Sequence, residues 1–479
     1  ISNKKVIGLK REKGYNPLAQ SNFTYFKGFT FFMKEHNTTK ARKAPPKVTF
    51  VSADNNLTSQ AGLIPVVHFL NSLSLSLLAA NILPKERGSN GVYQLADIVH
   101  LAIISFIGGA TSLSGMITIW GDTVLQRLAG FLKIPHETHF GRLWKEFQMA
   151  SVSSLESLNH LMRKQAWGKV MQQGMTYFWG LRTMWIDIDS TVVSVFGKQE
   201  GAEKGYNPEH KGRLSYHPLL AFCAHTKEIL QGWFRCGSAY TANGTIDFLR
   251  QLFAQMPTGI RYLIRGDSGY FDGKLFSFLE EGGLGYLIKV KMKNLASLLS
   301  SQTWEPIPGK PGWEQCRFPY SCKDWEKSRI FLALRQEQEA EPSKQKKLWN
   351  EKEYAYFCYA TTENYSPWTC HKMYGQRATC ETWIDEAKNQ MGVGSVRTKD
   401  FWANSALFQC AILAYNTIKW MGICSQNDRL QKWEIKTVRT FVIRLAGKLV
   451  KSGRQYTLKM PISELYSMER DAWFQMTPG

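Results

Sequence analysis

The amino-acid sequence predicts an α/β fold in which a helical opening region precedes a mixed sheet flanked by helices. Three observations predict it. Apolar residues recur at helical spacing from Leu63 to Leu83 and again from Leu95 to Ile119. At Met184 the pattern changes to an alternation rich in Val and Ile, "MWIDIDSTVVSVFG". Beyond it, strand-like and helix-like segments interleave as far as a charged helical stretch near Met373. At 479 residues, 44% of them hydrophobic and 13% aromatic, the chain is long enough for two or three domains with sizeable cores.

Charge points to the class of partner. The chain carries 60 Lys plus Arg against 39 Asp plus Glu, a formal charge of +21. Such an excess attracts a polyanion, and nucleic acid is the leading candidate. The nine cysteines show neither C-x-x-C pairs nor zinc-finger spacing, so they read as reduced cytosolic thiols and a structural zinc is not expected. The uncharged run from Leu101 to Trp120 is interrupted by Gly108, Gly109 and several Ser and Thr residues, which favours a buried helix with a break over a membrane span.

In chain order, residues 1–50 read as a leader and basic linker. The first Met is Met33, the expected natural start, and the segment before it is given no role. Residues 51–180 read as a helical DNA-binding region. Within it, "DTVLQRLAGFLKIPHETHFGRLWKEF" has two short amphipathic runs separated by Ile134, Pro135 and His136. That is helix-turn-helix spacing, and an ordinary helical hairpin fits it equally well.

Residues 181–293 begin the core. The strand from Met184 puts Asp187 and Asp189 on one face. Strands "YHPLLAFCAH" and "EILQGWFRCG" follow, then a helix from about Gly244 to Gln255, the strand "IRYLIRGDSG", a helix near Asp272 to Glu281 and the strand "GYLIKVK". Three strands, helix, strand, helix, strand, with one Asp on the first strand and another ending the fourth, is the arrangement of a ribonuclease-H-like catalytic core. Active groups in such sheets gather where strands end, and the third acid is then expected from a later helix. Residues 294–372, with Trp304, Trp313, Trp325, Trp349, Trp368 and the charged segment "RQEQEAEPSKQKK", read as a strand-rich insertion before that last catalytic helix.

Residues 373–424 supply the helix and the end of the core. In "MYGQRATCETWIDEAKNQMGVG", Tyr374, Arg377, Glu381 and Lys388 stand at the spacing Y-x-x-R-x-x-x-E-x-x-x-x-x-x-K. On one continuous helix Arg377, Glu381, Asp385 and Lys388 share a face. A solvated face of ion pairs would look the same. Residues 425–479 form a basic C-terminal region, with nine basic residues and one acid from Arg429 to Lys459. Read as helical, it sets Arg444, Lys448 and Lys451 opposite Val438, Phe441, Leu445 and Leu449.

The Tyr–Arg–Glu–Lys spacing resembles the YREK signature of bacterial insertion-sequence transposases of the DDE type. The resemblance extends through "DIDSTVVSVFGKQEGAEKGYNPEHKGRLSYHPLLAF", "IRGDSGYF", "FWANSALFQCAILAYNTIKWM" and "RTFVIRLAGKLVKSGRQYTLKM". These look like the insertion-sequence family called thirteen-eighty, over about Ser52 to Lys459. The resemblance implies cut-and-paste DNA transposition with Asp189, Asp267 and Glu381 as the catalytic, metal-holding triad. Asp187 is the rival for the first position, and Asp385 and Glu386 for the third.

Two Mg²⁺ ions per site, with Mn²⁺ able to substitute, suit carboxylate oxygens and phosphodiester chemistry. By the same resemblance Tyr374, Arg377 and Lys388 contact DNA phosphates, the Arg by its fork and the Lys as a point charge. The loop "GKQEGAEKGYNPEHKGRLSYHP" adds Lys198, Lys204, Lys211 and Arg213 as backbone contacts, and the C-terminal region adds Arg444, Lys448 and Lys451. His217 reads as a structural histidine. Some YREK-bearing relatives stack an aromatic of the insertion on a flipped base, and Trp304, Trp313 and Trp325 are the candidates for that role.

The implied partners are double-stranded DNA, as element terminal repeats and target, and a second copy of the chain in the DNA complex, with no membrane. The implied setting is the bacterial cytoplasm. Two other readings stand beside this one: a catalytically silent DNA-binding derivative, and a ribonuclease-H-like nuclease acting on RNA or hybrids.

Overall fold

The computed structural model describes Thr49 and residues 54–84, 92–173, 183–207, 210–239, 244–338 and 353–476. The chain divides into two compact units, Ile1–Ala53 and Asp54–Gly479, and every described helix and strand belongs to the second. The leader, the basic linker, Met33 and Trp349 lie outside the described residues.

After a short strand β1 (Leu57–Thr58), seven helices follow: α1 (Leu63–Ser72), α2 (Leu75–Ile82), α3 (Leu95–Gly108), α4 (Leu113–Ile119), α5 (Thr123–Ala129), α6 (Glu137–Leu143) and α7 (Met149–Gln172). The uncharged run divides at Gly109, whose φ of 97° is left-handed and ends α3. Ser112 caps α4 by accepting from the Gly115 N–H, and Asp122 caps α5 by accepting from Val124 and Leu125. The last carbonyls of α3 are met from far along the chain: the Arg439 guanidinium donates to Phe106 O at 2.7 Å and to Ile107 O at 2.8 Å. No single described helix is long and apolar enough to cross a membrane.

The sheet is built from β2 (Thr183–Ser190), β6 (Leu219–Cys223), β7 (Ile229–Trp233), β8 (Arg261–Gly266) and β9 (Gly285–Lys289). Between β2 and β6 lie the short strands β3 (Val193–Ser194), β4 (Glu203–Lys204) and β5 (Leu214–Tyr216), which form a separate three-stranded sheet. Helix α8 (Thr245–Phe253) joins β7 to β8, and α9 (Gly273–Glu281) joins β8 to β9. Across the large sheet the order is β9-β8-β2-β6-β7. β2, β6 and β7 are antiparallel neighbours, whereas β8 and β9 add in parallel on the other side of β2. This is the strand order of a ribonuclease-H-like core.

Past α10 (Leu295–Ser300), β10 (Glu305–Pro306), β11 (Trp313–Tyr320), β12 (Arg329–Gln338) and β13 (Glu353–Thr361) continue the same sheet, because β13 pairs with β9 from Tyr359↔Lys289 to Thr361↔Leu287. The result is nine strands in one mixed sheet.

Helices α11 (Pro367–Gly375), α12 (Ala378–Asp385) and α13 (Phe401–Cys424) close the core. α13 is buried from Ala403 to Cys424, and its polar side chains Gln409, Asn416 and Lys419 find partners inside the core. It is tied to α7 where the Asn159 amide donates to the Gln409 side chain at 3.1 Å. At the foot of both helices the buried Glu228 accepts from Trp167, Trp420 and Thr226 at 2.9, 2.6 and 2.7 Å.

The C-terminal expectation is corrected. Helical structure, α14 (Asp428–Lys432) and α15 (Ile435–Val438) with the π-turn Arg439–Ile443, ends before Arg444, and β14 (Gly447–Ser452) and β15 (Gln455–Lys459) form a hairpin that also pairs with β1. Arg444, Lys448 and Lys451 therefore share no helical face. The segment "KLVKSGRQYTLK" alternates with period two about a Gly453-Arg454 turn, and Gly453 has the positive φ, 59°, that such a turn demands. A last helix, α16 (Ser467–Phe474), follows.

Two buried histidines make the opening region sensitive to acid. Burial lowers the pKa of His100 from 6.5 to about 4 and that of His160 from 6.5 to about 3, the second helped by the Arg163 charge. The unfolded chain then takes up protons that the folded one refuses, so stability is complete above pH 6.5 and is lost as pH falls towards the folded values. For His100 alone the loss amounts to roughly 3 kcal/mol by pH 4. The midpoint of urea unfolding, followed from pH 7.5 to pH 4.5, is expected to fall less in His100→Gln than in the wild type. Identical slopes would show that His100 does not carry the effect.

Candidate active site

Parallel pairing of β2 with β8 sets Asp187 beside Arg265. Two residues further on, at the end of β2 and just past the end of β8, Asp189 and Asp267 are close enough for the Asp267 charge to act on Asp189. Asp267 starts a short turn, Ser268–Tyr270, and accepts from the Gly269 N–H at 2.9 Å. Asp189 accepts from the Ser190 N–H at 2.8 Å and from the Arg377 guanidinium at 2.7 Å. Burial pushes the Asp189 carboxyl up to about 6; the Arg377 charge works against this and the nearby Asp267 charge adds to it. A carboxylate raised by desolvation and by a neighbouring carboxylate is one whose ionised form a cation would favour, and both are hard oxygen donors. On that ground the pair fits a divalent ion such as Mg²⁺.

Glu381 lies in the first turn of α12 and is exposed. Its charge reaches the same neighbourhood, because the Tyr374 phenol, pushed up to about 12 chiefly by burial, also feels Arg377, Asp267, Asp189 and Glu381. Yet among the described residues no three His, Cys, Asp or Glu side chains gather as a metal centre. Asp267 acts on Asp189 through its charge, and both acids share with Glu381 an effect on the Tyr374 phenol.

The rival acids are engaged elsewhere. Asp187 is fully buried, and both of its oxygens are held by Arg265, at 2.6 and 2.8 Å. Arg265 also donates to Met373 O at 2.7 Å and lies over the Trp185 ring, so the pair joins β2, β8 and the end of α11. Glu386 is buried and accepts from Lys419 at 2.8 and 2.9 Å and from the Ile435 N–H at 2.9 Å. Asp385 is exposed and accepts from Asn389.

The stretch carrying Tyr374, Arg377, Glu381 and Lys388 is not the single straight helix expected of it. Tyr374 is on α11, Arg377 caps α12, and Lys388 lies in a π-turn, Glu386–Gln390. A π-turn advances the chain by an extra residue, so the common face breaks down past Asp385. Arg377 is 5% exposed and bound to Asp189. Lys388 is half-buried, with its stem so close to Gly394 that a Cβ there would lie 2.3 Å from it.

Lys198, Lys204 and Lys211 are exposed on the loop after β2, and Arg213 is half-buried. Arg444, Lys448 and Lys451 are exposed at the C-terminal hairpin, with Lys448 paired to Asp54 at 3.0 Å. Of the insertion tryptophans, Trp304 lies against Tyr356 and under Arg335, Trp313 stacks on Phe357, and Trp325 packs on Phe271, Phe276 and Phe331.

His217 lies next to the site. Its Nδ1 is 2.5 Å from the Ala239 carbonyl, which can only accept, so Nδ1 carries the proton and Nε2 accepts from the Ser190 hydroxyl at 3.0 Å. Burial lowers its pKa and keeps it neutral. Sequence reading missed Arg265 and Tyr270. The buried Tyr270 has its phenol pushed up first by burial and then by the charges of Asp189 and Asp267. Its position three residues after Asp267, in "GDSGY", was the available signal.

Residues 40–472 match the family described as transposase DDE domain, group 1. No curated protein matches the chain. Among solved structures, the cryo-EM structure of the piggyBac transposase synaptic complex with hairpin DNA is similar at 12% identity and a TM-score of 0.41, over 87% of this chain and 79% of that chain.

Proposed function

Because this chain belongs to the transposase DDE domain group 1 family, we propose that it is a cut-and-paste DNA transposase of the insertion-sequence type, bearing the YREK signature and related to the family called thirteen-eighty. It binds the ends of a mobile element, cleaves a strand at each and joins the freed ends to target DNA. The observation that carries the reading is the pair Asp189 and Asp267 at the ends of adjacent parallel strands. Asp189, Asp267 and Glu381 would hold two Mg²⁺ ions, with Mn²⁺ as a substitute; when bound, such ions polarise the phosphodiester and favour the attacking and leaving oxygens.

The chain's own groups do the rest. Arg377 and Tyr374 bind the phosphate beside the acids, with Arg377 exchanging its bond to Asp189 for the DNA. Lys388, Lys198, Lys204, Lys211 and Arg213 follow the backbone near the cleavage point, and Arg444, Lys448 and Lys451 extend the contact. The helices of the opening region recognise the element end. A homodimer in the DNA complex holds two ends together in a bacterial cytoplasm.

The second reading is a catalytically silent DNA-binding derivative, in which Glu381 does not serve as the third ligand. Labelled duplex carrying the element's own ends, incubated with Mg²⁺ and either wild type or Glu381→Gln, separates the two. The expected result is cleavage at the element boundary by the wild type, and binding without cleavage by the variant. Equal cleavage by both would remove Glu381 from the triad and turn attention to Asp385. Binding without cleavage by both would establish the silent derivative. A preference for RNA or hybrid over duplex ends would replace both readings with a nuclease.

A further inference from the structure

The loop that follows the strand bearing Asp189 presents an aromatic ring to solvent. Val193 and Val195 are buried at 4% and 5% exposure, with Tyr216 beside them in the core of the small three-stranded sheet. Phe196 lies in the bend just past β3, where it is 89% exposed. A lone exposed phenylalanine needs no explanation, but this one has three further features around it.

The Arg213 guanidinium lies over its ring, 4.6 Å from the centroid. Lys198, Lys204 and Lys211 are exposed on the same loop, and so is a second aromatic, Tyr206, at 66%. Among the described residues the nearby acids face other groups: Glu203 accepts from Ser238, and Glu200 accepts from the Phe401 N–H at 2.9 Å. Cation, open ring and surrounding positive charge together match a nucleobase joined to a phosphate chain.

We infer that Phe196, held by Arg213, is a stacking platform for an unpaired base of the bound DNA. The inference rests on the reading of this chain as a DNA-binding transposase. Seven residues separate Asp189 from Phe196, at most about 24 Å of extended chain. The base it takes therefore lies within roughly seven nucleotides of the phosphate at the acids. Trp304, Trp313 and Trp325 are partly buried against neighbouring rings, whereas Phe196 keeps most of its surface open.

The test compares a fluorescein-labelled blunt duplex with the same duplex carrying a short single-stranded overhang that contains a fluorescent adenine analogue. Wild type, Phe196→Ala, Phe196→Leu and Phe196→Trp are assayed by anisotropy and by quenching of the analogue. The wild type is expected to prefer the overhang and quench the analogue. Ala and Leu should both lose that preference, by roughly five- to hundred-fold in affinity for the overhang, and Trp should keep it. Leu retains the apolar bulk and loses the ring face, so a loss shared with Ala identifies stacking.

Equal thermal midpoints establish that the exposed substitutions leave the fold intact. If Ala binds and quenches like the wild type, the platform is overturned while the DNA reading stands. If Ala changes only the oligomeric state in gel filtration, the ring is a contact between copies and the platform is likewise overturned. If the wild type binds neither duplex, both readings fall together.

Discussion

Asp189→Asn is expected to reduce Mg²⁺-dependent strand cleavage about a thousand-fold or more while leaving DNA binding and the fold in place. A carboxylate that holds a catalytic ion contributes through that ion several kcal/mol of transition-state stabilisation, and each ~1.4 kcal/mol is a factor of ten in rate. Asparagine keeps the oxygen that accepts from Arg377 at 2.7 Å and removes only the charge. The fold should tolerate the exchange, because the wild-type carboxylate is already disfavoured by burial. Cleavage of an end-labelled element duplex, with binding measured on the same samples, reads both quantities. Cleavage within tenfold of the wild type would exclude Asp189 from the reacting centre.

Sequence alone reached this prediction because its signal was local. In "MWIDIDS" the alternation identifies a strand and sets Asp187 and Asp189 on one face. The order of strands and helices then makes that strand central to the sheet, and "RGDSG" ends the strand that adds to it in parallel. What sequence could not show was how the two acids divide their roles, since that depends on Arg265, a residue 78 positions away whose side chain reaches back across the strand pair. The same limit applies at Glu386, which reads as one more acid on a helical face until Lys419 of α13 is found bound to it.

Where the reading failed at the C-terminus, a local signal was present and a stronger-looking pattern overrode it. The spacing of Arg444, Lys448 and Lys451 suits a helix, yet Gly453-Arg454 between two alternating runs is a turn signal. The π-turn after α12 had no such signal. It is imposed by tertiary contacts, the Glu386 carboxylate being held by Lys419 and the Ile435 N–H.

The two acids of β2 should fail in opposite ways, and this makes Asp187→Ala the more severe test of the fold. Removing Asp187 leaves Arg265, 2% exposed, with two donors unmet and a charge sealed between β2 and α11. Breaking a buried ion pair by deleting one partner costs about 3–5 kcal/mol, a large share of the ~5–15 kcal/mol that stabilises a typical domain. The urea midpoint of Asp187→Ala should fall accordingly. The double variant Asp187→Leu/Arg265→Met should recover most of the loss, because an apolar pair of similar volume leaves nothing charged behind.

Cleavage by Asp187→Ala would then decline only in step with the fraction unfolded, whereas Asp189→Asn loses cleavage in a fully folded protein. If Asp187→Ala instead matched the wild type in stability and lost cleavage outright, the first acid of the triad would be Asp187. The bond to Arg265 would then have to open before catalysis. That opening would itself cost free energy, and a site built on Asp189 requires less of it, because Arg377 holds one Asp189 oxygen whereas Arg265 holds both oxygens of Asp187.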